Sequence, residues 1–360
     1  MSLDRIRLAS LHDKVISAEE ASAFIEDGMT VGMSGFTRAG EAKAVPLALV
    51  KRAHTNPLKI TLITGASLGN DLDKQLTEAG VLARRLPFQV DNTLRKAINN
   101  GEVMFIDQHL SETVEQMRNL QLKKPDVAII EAVAITEDGG IIPTTSVGNS
   151  ASFAIFAEKV IVEINTNLSP AFEGLHDIYI PTYRPTRQPI PLTQVDERIG
   201  THAINIDPAK IVGIVINNDL HDSPSTVTAP DDETQGIADH LIAFFEKEVA
   251  ENRLPKNLGP LQAGIGSIAN AVLTGLKDSN FEDLVMYSEV LQDCTFELID
   301  AGKMKFASGS SITLSAKYGE KVFNNLEAYK DKLVLRPQEI SNHPELVRRL
   351  GINGNNTALE

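Results

Sequence analysis

Apolar residues recur along this chain in two patterns. Short unbroken runs rich in β-branched residues stand at Met29-Thr30-Val31-Gly32-Met33, Ile60-Thr61-Leu62-Ile63, Val103-Met104-Phe105-Ile106 and Val127-Ala128-Ile129-Ile130. Lys159-Val160-Ile161-Val162-Glu163-Ile164 and Ile211-Val212-Gly213-Ile214-Val215-Ile216 continue the series. Their length, composition and flanking turns predict strands buried on both faces. Between them the pattern becomes helical. Ser17-Ala18-Glu19-Glu20 reads as a capping box opening a helix to Glu26, Pro46 to His54 has proline in its first turn, and Ser111 to Leu120 has serine placed to cap. Strands alternating with helices predict an α/β fold with mainly parallel sheets.

Asn217 to Asp232, rich in Asp, Ser, Thr and Pro, reads as an exposed linker. Beyond it Glu233 to Glu251 repeats apolar residues at helical spacing, and a second alternation runs through Leu284-Val285-Met286-Tyr287 to Lys332-Leu333-Val334-Leu335. A boundary near residue 228 divides the chain into an N-terminal α/β domain, 1–228, and a C-terminal one, 229–360. Only about three strands are legible in the second domain, so it is expected to be small or incomplete.

Composition narrows the function. With 48 acidic against 34 basic residues the formal charge is −14, which disfavours nucleic acid as a partner. No apolar stretch is long enough to span a bilayer, and the first residues carry no signal or transit pattern, so a cytoplasmic protein without a membrane partner is expected. Cys294 is the single cysteine, which excludes an intrachain disulfide and argues against a Cys-based metal site; no metal is expected. Cys294 begins a helical pattern and reads as structural.

The sharpest chemical feature is Gln262-Ala263-Gly264-Ile265-Gly266-Ser267-Ile268-Ala269-Asn270, a glycine-rich turn before a helical segment running to Leu276. Glycines let backbone N–H groups turn toward a ligand, and a helix N-terminus offers free amides to an anion. The spacing is G-x-G-x-x-A, and Glu289 lies 20 residues beyond Ala269, which taken literally is a dinucleotide-binding fingerprint of an NAD-dependent oxidoreductase. Gly259 and Pro260 stand where that fold requires a strand, which speaks against it. Downstream, the run Leu284–Tyr287 delivers Ser288-Glu289 to a strand–helix junction, where a carboxylate can serve as base, ligand or nucleophile, or simply cap a helix.

Together these segments resemble the acetyl-CoA hydrolase/transferase family of class I CoA-transferases. The resemblance rests on Ser288-Glu289 after an apolar strand and on the Gly264–Asn270 loop upstream. It extends to Asp27-Gly28 through Ser34-Gly35-Phe36-Thr37-Arg38-Ala39-Gly40, Thr64-Gly65-Ala66-Ser67, Ser146-Val147-Gly148-Asn149-Ser150 and Ser341-Asn342-His343-Pro344-Glu345. Ser34 and Ala42 depart from that family's Gly and Pro. The resemblance implies two tandem open α/β domains of CoA-transferase type and coenzyme A as a substrate. It implies CoA transfer between short acids such as acetate and succinate through a glutamyl-CoA thioester on Glu289.

By the same resemblance the Ile265 backbone N–H and the Asn342 side chain are oxyanion donors. Gly264, Ile265, Gly266, Ser267 and Ile268 form the CoA-binding segment, the backbone at Leu359 borders that pocket, and Ser67 lies near the carboxylate substrate. Family members usually extend beyond a motif like Asn356-Thr357-Ala358-Leu359-Glu360, and some carry an arginine around Asp222-Ser223 that is absent here. Acetyl-CoA hydrolysis and a non-catalytic CoA-binding fragment therefore stand as alternatives. His109, His176, Arg38 and Arg95 are candidate polar groups that read as structural or solvated, and a homodimer is the base expectation.

Overall fold

The structure, a computed structural model, describes residues 3–225 and 231–352 and the backbone of 358–359. The chain forms two compact units. One takes Met1–Gln188, Gly200–Ser223 and Pro337–Glu339; the other takes Pro189–Ile199, Pro224–Arg336 and Ile340–Glu360. The boundary expected near residue 228 falls outside the described residues.

The first unit is built on an eight-stranded sheet. Its strands are β1 (Thr30–Met33), β2 (Ile60–Ile63), β3 (Leu82–Leu86), β4 (Met104–Phe105), β5 (Val127–Ile135), β6 (Ile141–Pro143), β7 (Lys159–Asn165) and β8 (Ile211–Asn217). They run in the order β4-β3-β2-β1-β5-β7-β8, all parallel, with β6 antiparallel beside β5. Every residue of β5 is buried, as a near-continuous apolar run requires in a sheet covered on both faces. Helical packing is close at Gly32, where an added Cβ would stand 2.7 Å from the Phe153 ring. Ser17 and Glu20 form the expected capping box, each side chain bonding the other's backbone N–H at 3.1 and 2.8 Å. The helix it opens, Ala18–Ser22, is shorter than expected.

The second unit holds a five-stranded parallel sheet, ordered β14-β12-β10-β9-β15. Its members are β9 (Pro260–Ala263), β10 (Leu284–Tyr287), β12 (Met304–Gly309), β14 (Leu333–Leu335) and β15 (Ala358–Leu359); β11 (Val290–Leu291) and β13 (Ser311–Ile312) pair separately. Three sequence expectations are corrected here. The sheet has more strands than were legible, because Met304-Lys305-Phe306-Ala307-Ser308-Gly309 mixes polar and small residues and does not read as a buried strand. A strand does run into Gly264: Pro260 takes its first position, where a missing N–H is tolerated. Residues 217–223 are not a free linker, since they pack in the first unit, with Asn217 buried and Asp222 bonded to Gly40 N and Thr145 Oγ1. The helix Asp232–Ala250 buries Ala238 and Phe245 but leaves Phe244 at 52% exposure.

Candidate active site

Glu289 stands where the chain leaves the parallel sheet. β10 ends at Tyr287, Ser288 N still donates to Ser308 O of β12, and the Glu289 carbonyl accepts from Ser310 N (2.7 Å) and Ser311 N (3.2 Å). A strand–loop junction at the C-terminal edge of a parallel sheet is where such folds hold ligands. The backbone on either side of Glu289 is thus fixed, and its half-buried side chain projects into a cavity of about 570 Å³.

Four segments of this unit meet at that cavity among the described residues. The end of β10 gives Tyr287 and Glu289; the end of β9 gives Ala263, Gly264 and Ile265; the short helix Gln338–Ser341 and its turn give Ser341 and Asn342; the helix Pro344–Arg349 and its end give Val347 and Ile352. Asn342 Nδ2 donates directly to Glu289 Oε1. The sequence separation of Glu289 and Asn342 concealed this pairing, and the fold makes it. Ser288 staples the two strands by donating to Ala263 O at 2.8 Å and accepting from Ala263 N at 3.3 Å. Gln292 Nε2 holds the Gly264 carbonyl at 3.0 Å, so the glycine loop is anchored from the Glu289 side.

Beyond Gly264 the loop is open. Ile265 is 62% exposed and Ile268 39%, and Gly266 and Ser267 are exposed with them. Ser267 begins a helix running to Asp278 whose N-cap is Gly266 with no side-chain cap, so its first-turn amides are offered to whatever occupies the loop. The backbone of Leu359 pairs with that of Ala263 through β15.

The remaining candidates lie elsewhere. Ser67 is buried in the first unit, in the turn after β2, where its carbonyl accepts from Arg38 N at 3.1 Å. Arg38 is exposed at the tip of a tight turn closed by Phe36 and Ala39, with Thr37 and Arg38 both at positive φ (52° and 64°). Arg95 is also exposed and bonds Asn92 Oδ1. His176 is buried, stacked on Phe172 and bonded to Thr144 O, and His109 Nδ1 lies 2.8 Å from Ser111 Oγ. Burial pushes the Cys294 thiol up to about 12, which keeps it protonated and unreactive. Among the described residues no group of three His, Cys, Asp or Glu could hold a metal ion, and no helix is long and apolar enough to cross a membrane.

One polar constellation escaped the sequence reading. In the first unit, buried Lys43 Nζ lies 2.5 Å from Glu131 Oε2 and 2.8 Å from Asp222 Oδ1, and Glu41 and Glu163 are buried beside it. Glu163 accepts from the backbone N–H groups of Lys43, Ala44 and Val45, fixing the start of the helix Ala44–Ala53. Burial raises the Glu131 carboxyl to about 8 and the Glu41 carboxyl to about 7. Burial alone would lower Lys43, but Asp222, Glu131 and Glu41 together raise it, so it stays charged. A signal did exist: Glu131 and Glu163 interrupt apolar strand runs at matching positions of neighbouring strands.

Comparison with known proteins decides the family. A model of the acetyl-CoA hydrolase/transferase N-terminal domain matches residues 2–216. The chain belongs to this family. It is 46% identical over 358 residues to a succinyl-CoA:acetate CoA-transferase of Clostridium kluyveri, covering 99% of this chain and 66% of that protein. It is 44% identical over 367 residues to an acetyl-CoA hydrolase of Schizosaccharomyces pombe (99% and 70%). The chain thus spans about two thirds of the length of these relatives.

Solved structures agree on the fold. RipA from Yersinia pestis superposes with a TM-score of 0.70 at 17% identity, covering 95% of this chain and 72% of that one. A 4-hydroxybutyrate CoA-transferase from Porphyromonas gingivalis superposes with 0.60 at 18% identity (94% and 71%). Membership in this family sets aside the dinucleotide reading, although a strand does precede the glycine loop. Glu289 also already carries a side-chain donor on one of its oxygens.

Proposed function

We propose that this protein transfers coenzyme A between short carboxylic acids, with Glu289 as the covalent carrier. The observation that carries the reading is the bond from Asn342 Nδ2 to Glu289 Oε1, beside the Gly264–Ile265 loop. A carboxylate that is to become an anhydride and then a thioester needs one oxygen held as the carbonyl and the other free to attack. Asn342 holds the first, and the side chain lines the cavity.

The steps balance. A Glu289 oxygen attacks the acyl-CoA carbonyl and expels CoA thiolate, leaving a mixed anhydride. The thiolate attacks the glutamyl carbonyl and releases the first acid, forming glutamyl-CoA. An incoming carboxylate attacks that thioester, the thiolate leaves again, and its attack on the new acyl carbonyl gives the second acyl-CoA and frees Glu289. Each attack on the glutamyl carbonyl builds negative charge on the oxygen that Asn342 holds, where a fixed donor is most effective.

The Ile265 N–H is assigned as the donor to the acyl oxygen, and Gly264, Gly266, Ser267 and Ile268 as the CoA contact. The exposed first-turn amides after Gly266 suit an anionic ligand and the exposed Ile265 and Ile268 side chains an apolar arm. Leu359 borders this site through its backbone, and Ser67 is assigned to the carboxylate substrate. The acid pair is read as acetate and succinate, the pair in the name of the Clostridium kluyveri relative. The relatives named acetyl-CoA hydrolases would share the route, with water as the final acceptor.

The test is exchange of isotopic label from acetate into acetyl-CoA. Glu289→Ala should show no exchange above background, because among the described residues no other carboxylate lines the cavity. Exchange retained in that variant would refute the assignment.

A further inference from the structure

Asn342 is useful to the reaction only if it is held still, and the bonds that anchor its helix lie at the start of it, where Gln338 Nε2 donates to Gly65 O and Leu110 O and Arg118 donates to Glu339. The helix Gln338–Ser341 is a single turn, and Asn342 lies in the turn that follows. That turn is closed by His343 N donating to Ile340 O at 3.2 Å, with Ser341 and Asn342 at its two central positions. An isolated turn of this kind is marginal by itself.

The same Ile340 carbonyl accepts a second, shorter bond. Tyr287 Oη donates to it at 2.6 Å, and Tyr287 is 1% exposed. Tyr287 is the last residue of β10, and Glu289 follows two residues later. One strand end therefore carries both the carboxylate and the hydroxyl that grips the turn presenting the carboxylate's donor. We propose that Tyr287 is a positioning residue for CoA transfer: through Ile340 O it fixes the Ser341–Asn342 turn so that the Asn342 amide stays on Glu289.

The proposal rests on Glu289 and Asn342 acting as described above. Tyr287 is not assigned any contact with substrate, and it exchanges no proton. Burial pushes its hydroxyl well above the usual tyrosine range, so it remains a donor throughout the working pH range. Its ring packs whether or not the hydroxyl is present, so Tyr287→Phe removes the bond and little else.

The experiment is a double-mutant cycle on the full chain, read by acetate/acetyl-CoA label exchange, with the fold of each variant verified by circular dichroism. Asn342→Ala should lower kcat by roughly 10²–10³, the usual effect of one oxyanion donor. Tyr287→Phe should lower kcat about tenfold, with KM for acetyl-CoA within about twofold and both limbs of the pH profile unmoved. The double variant should be no slower than Asn342→Ala alone, because Tyr287 acts only through Asn342. Tyr287→Leu, which loses the same bond with different packing, should show the same coupling.

An unchanged kcat in Tyr287→Phe, or losses that multiply in the double variant, would overturn the positioning role. So would a Tyr287→Phe protein unable to fold, which would make the hydroxyl a folding element instead. Failure of the underlying reading is distinguishable: it would appear as exchange surviving Glu289→Ala.

Discussion

At the scale of single residues, what separates the two groups of buried polar side chains is how their charges are satisfied. In the second unit Glu289 is half-buried and one of its oxygens accepts from a neutral amide. In the first unit Lys43 is closed in by three carboxyl groups, those of Glu131, Asp222 and Glu41, with Lys43, Glu131 and Glu41 buried. Glu41 and Glu131 have folded pKa values of about 7 and about 8, above the ordinary carboxyl value of 4.5, and the cause is burial. The folded state therefore binds more protons than the unfolded one from about pH 4.5 to about 8, and stability falls as pH rises through that window. Glu131→Gln, which cannot titrate, should flatten the fall in Tm between pH 5 and 8; a slope identical to that of the unmodified protein would contradict this protonation assignment. Nothing in the sequence singles out Lys43 and Glu41, and only the fold brings them onto Glu131 and Asp222.

At the scale of elements, the strands with continuous β-branched runs were legible and those with other compositions were not. β2 lies where its run predicts, β7 and β8 extend one residue beyond theirs and β5 runs on to Ile135, because residues buried on both faces leave little choice of state. β3, with Arg84 and Arg85, was missed: Arg85 is fully buried against Asp73 at 2.8 Å, so a residue that reads as surface is core. β9 was missed because proline was taken as a break where it is only a first position. β1 shows how little tolerance these strands have. Gly32 lies where a methyl group would meet Phe153 at 2.7 Å, so Gly32→Ala should destabilise the protein by about 1–3 kcal/mol in urea unfolding. A loss below about 0.5 kcal/mol would mean that the helix carrying Phe153 shifts freely.

At the scale of the whole molecule, the candidate site was legible in its parts and not in its assembly. Glu289 could be placed at a strand end and Gly264–Ile268 in a turn before a helix, because both sit on local patterns that sequence displays. Asn342 came from family resemblance alone, since nothing local distinguishes it from an ordinary turn residue before His343-Pro344. Tyr287 was read only as strand, its hydroxyl bond to Ile340 depending on a chain separation of 53 residues. The chain belongs to the acetyl-CoA hydrolase/transferase family and spans about two thirds of the length of the relatives it matches. The central claim is that Glu289 becomes covalently bound to coenzyme A. Intact-protein mass after incubation with acetyl-CoA, with and without borohydride, tests it most directly. A CoA-sized adduct that maps to Glu289 and is lost on reduction is the expected result. An unmodified mass in a protein that acetyl-CoA still stabilises against unfolding would contradict the covalent route and leave a site that binds coenzyme A without carrying it.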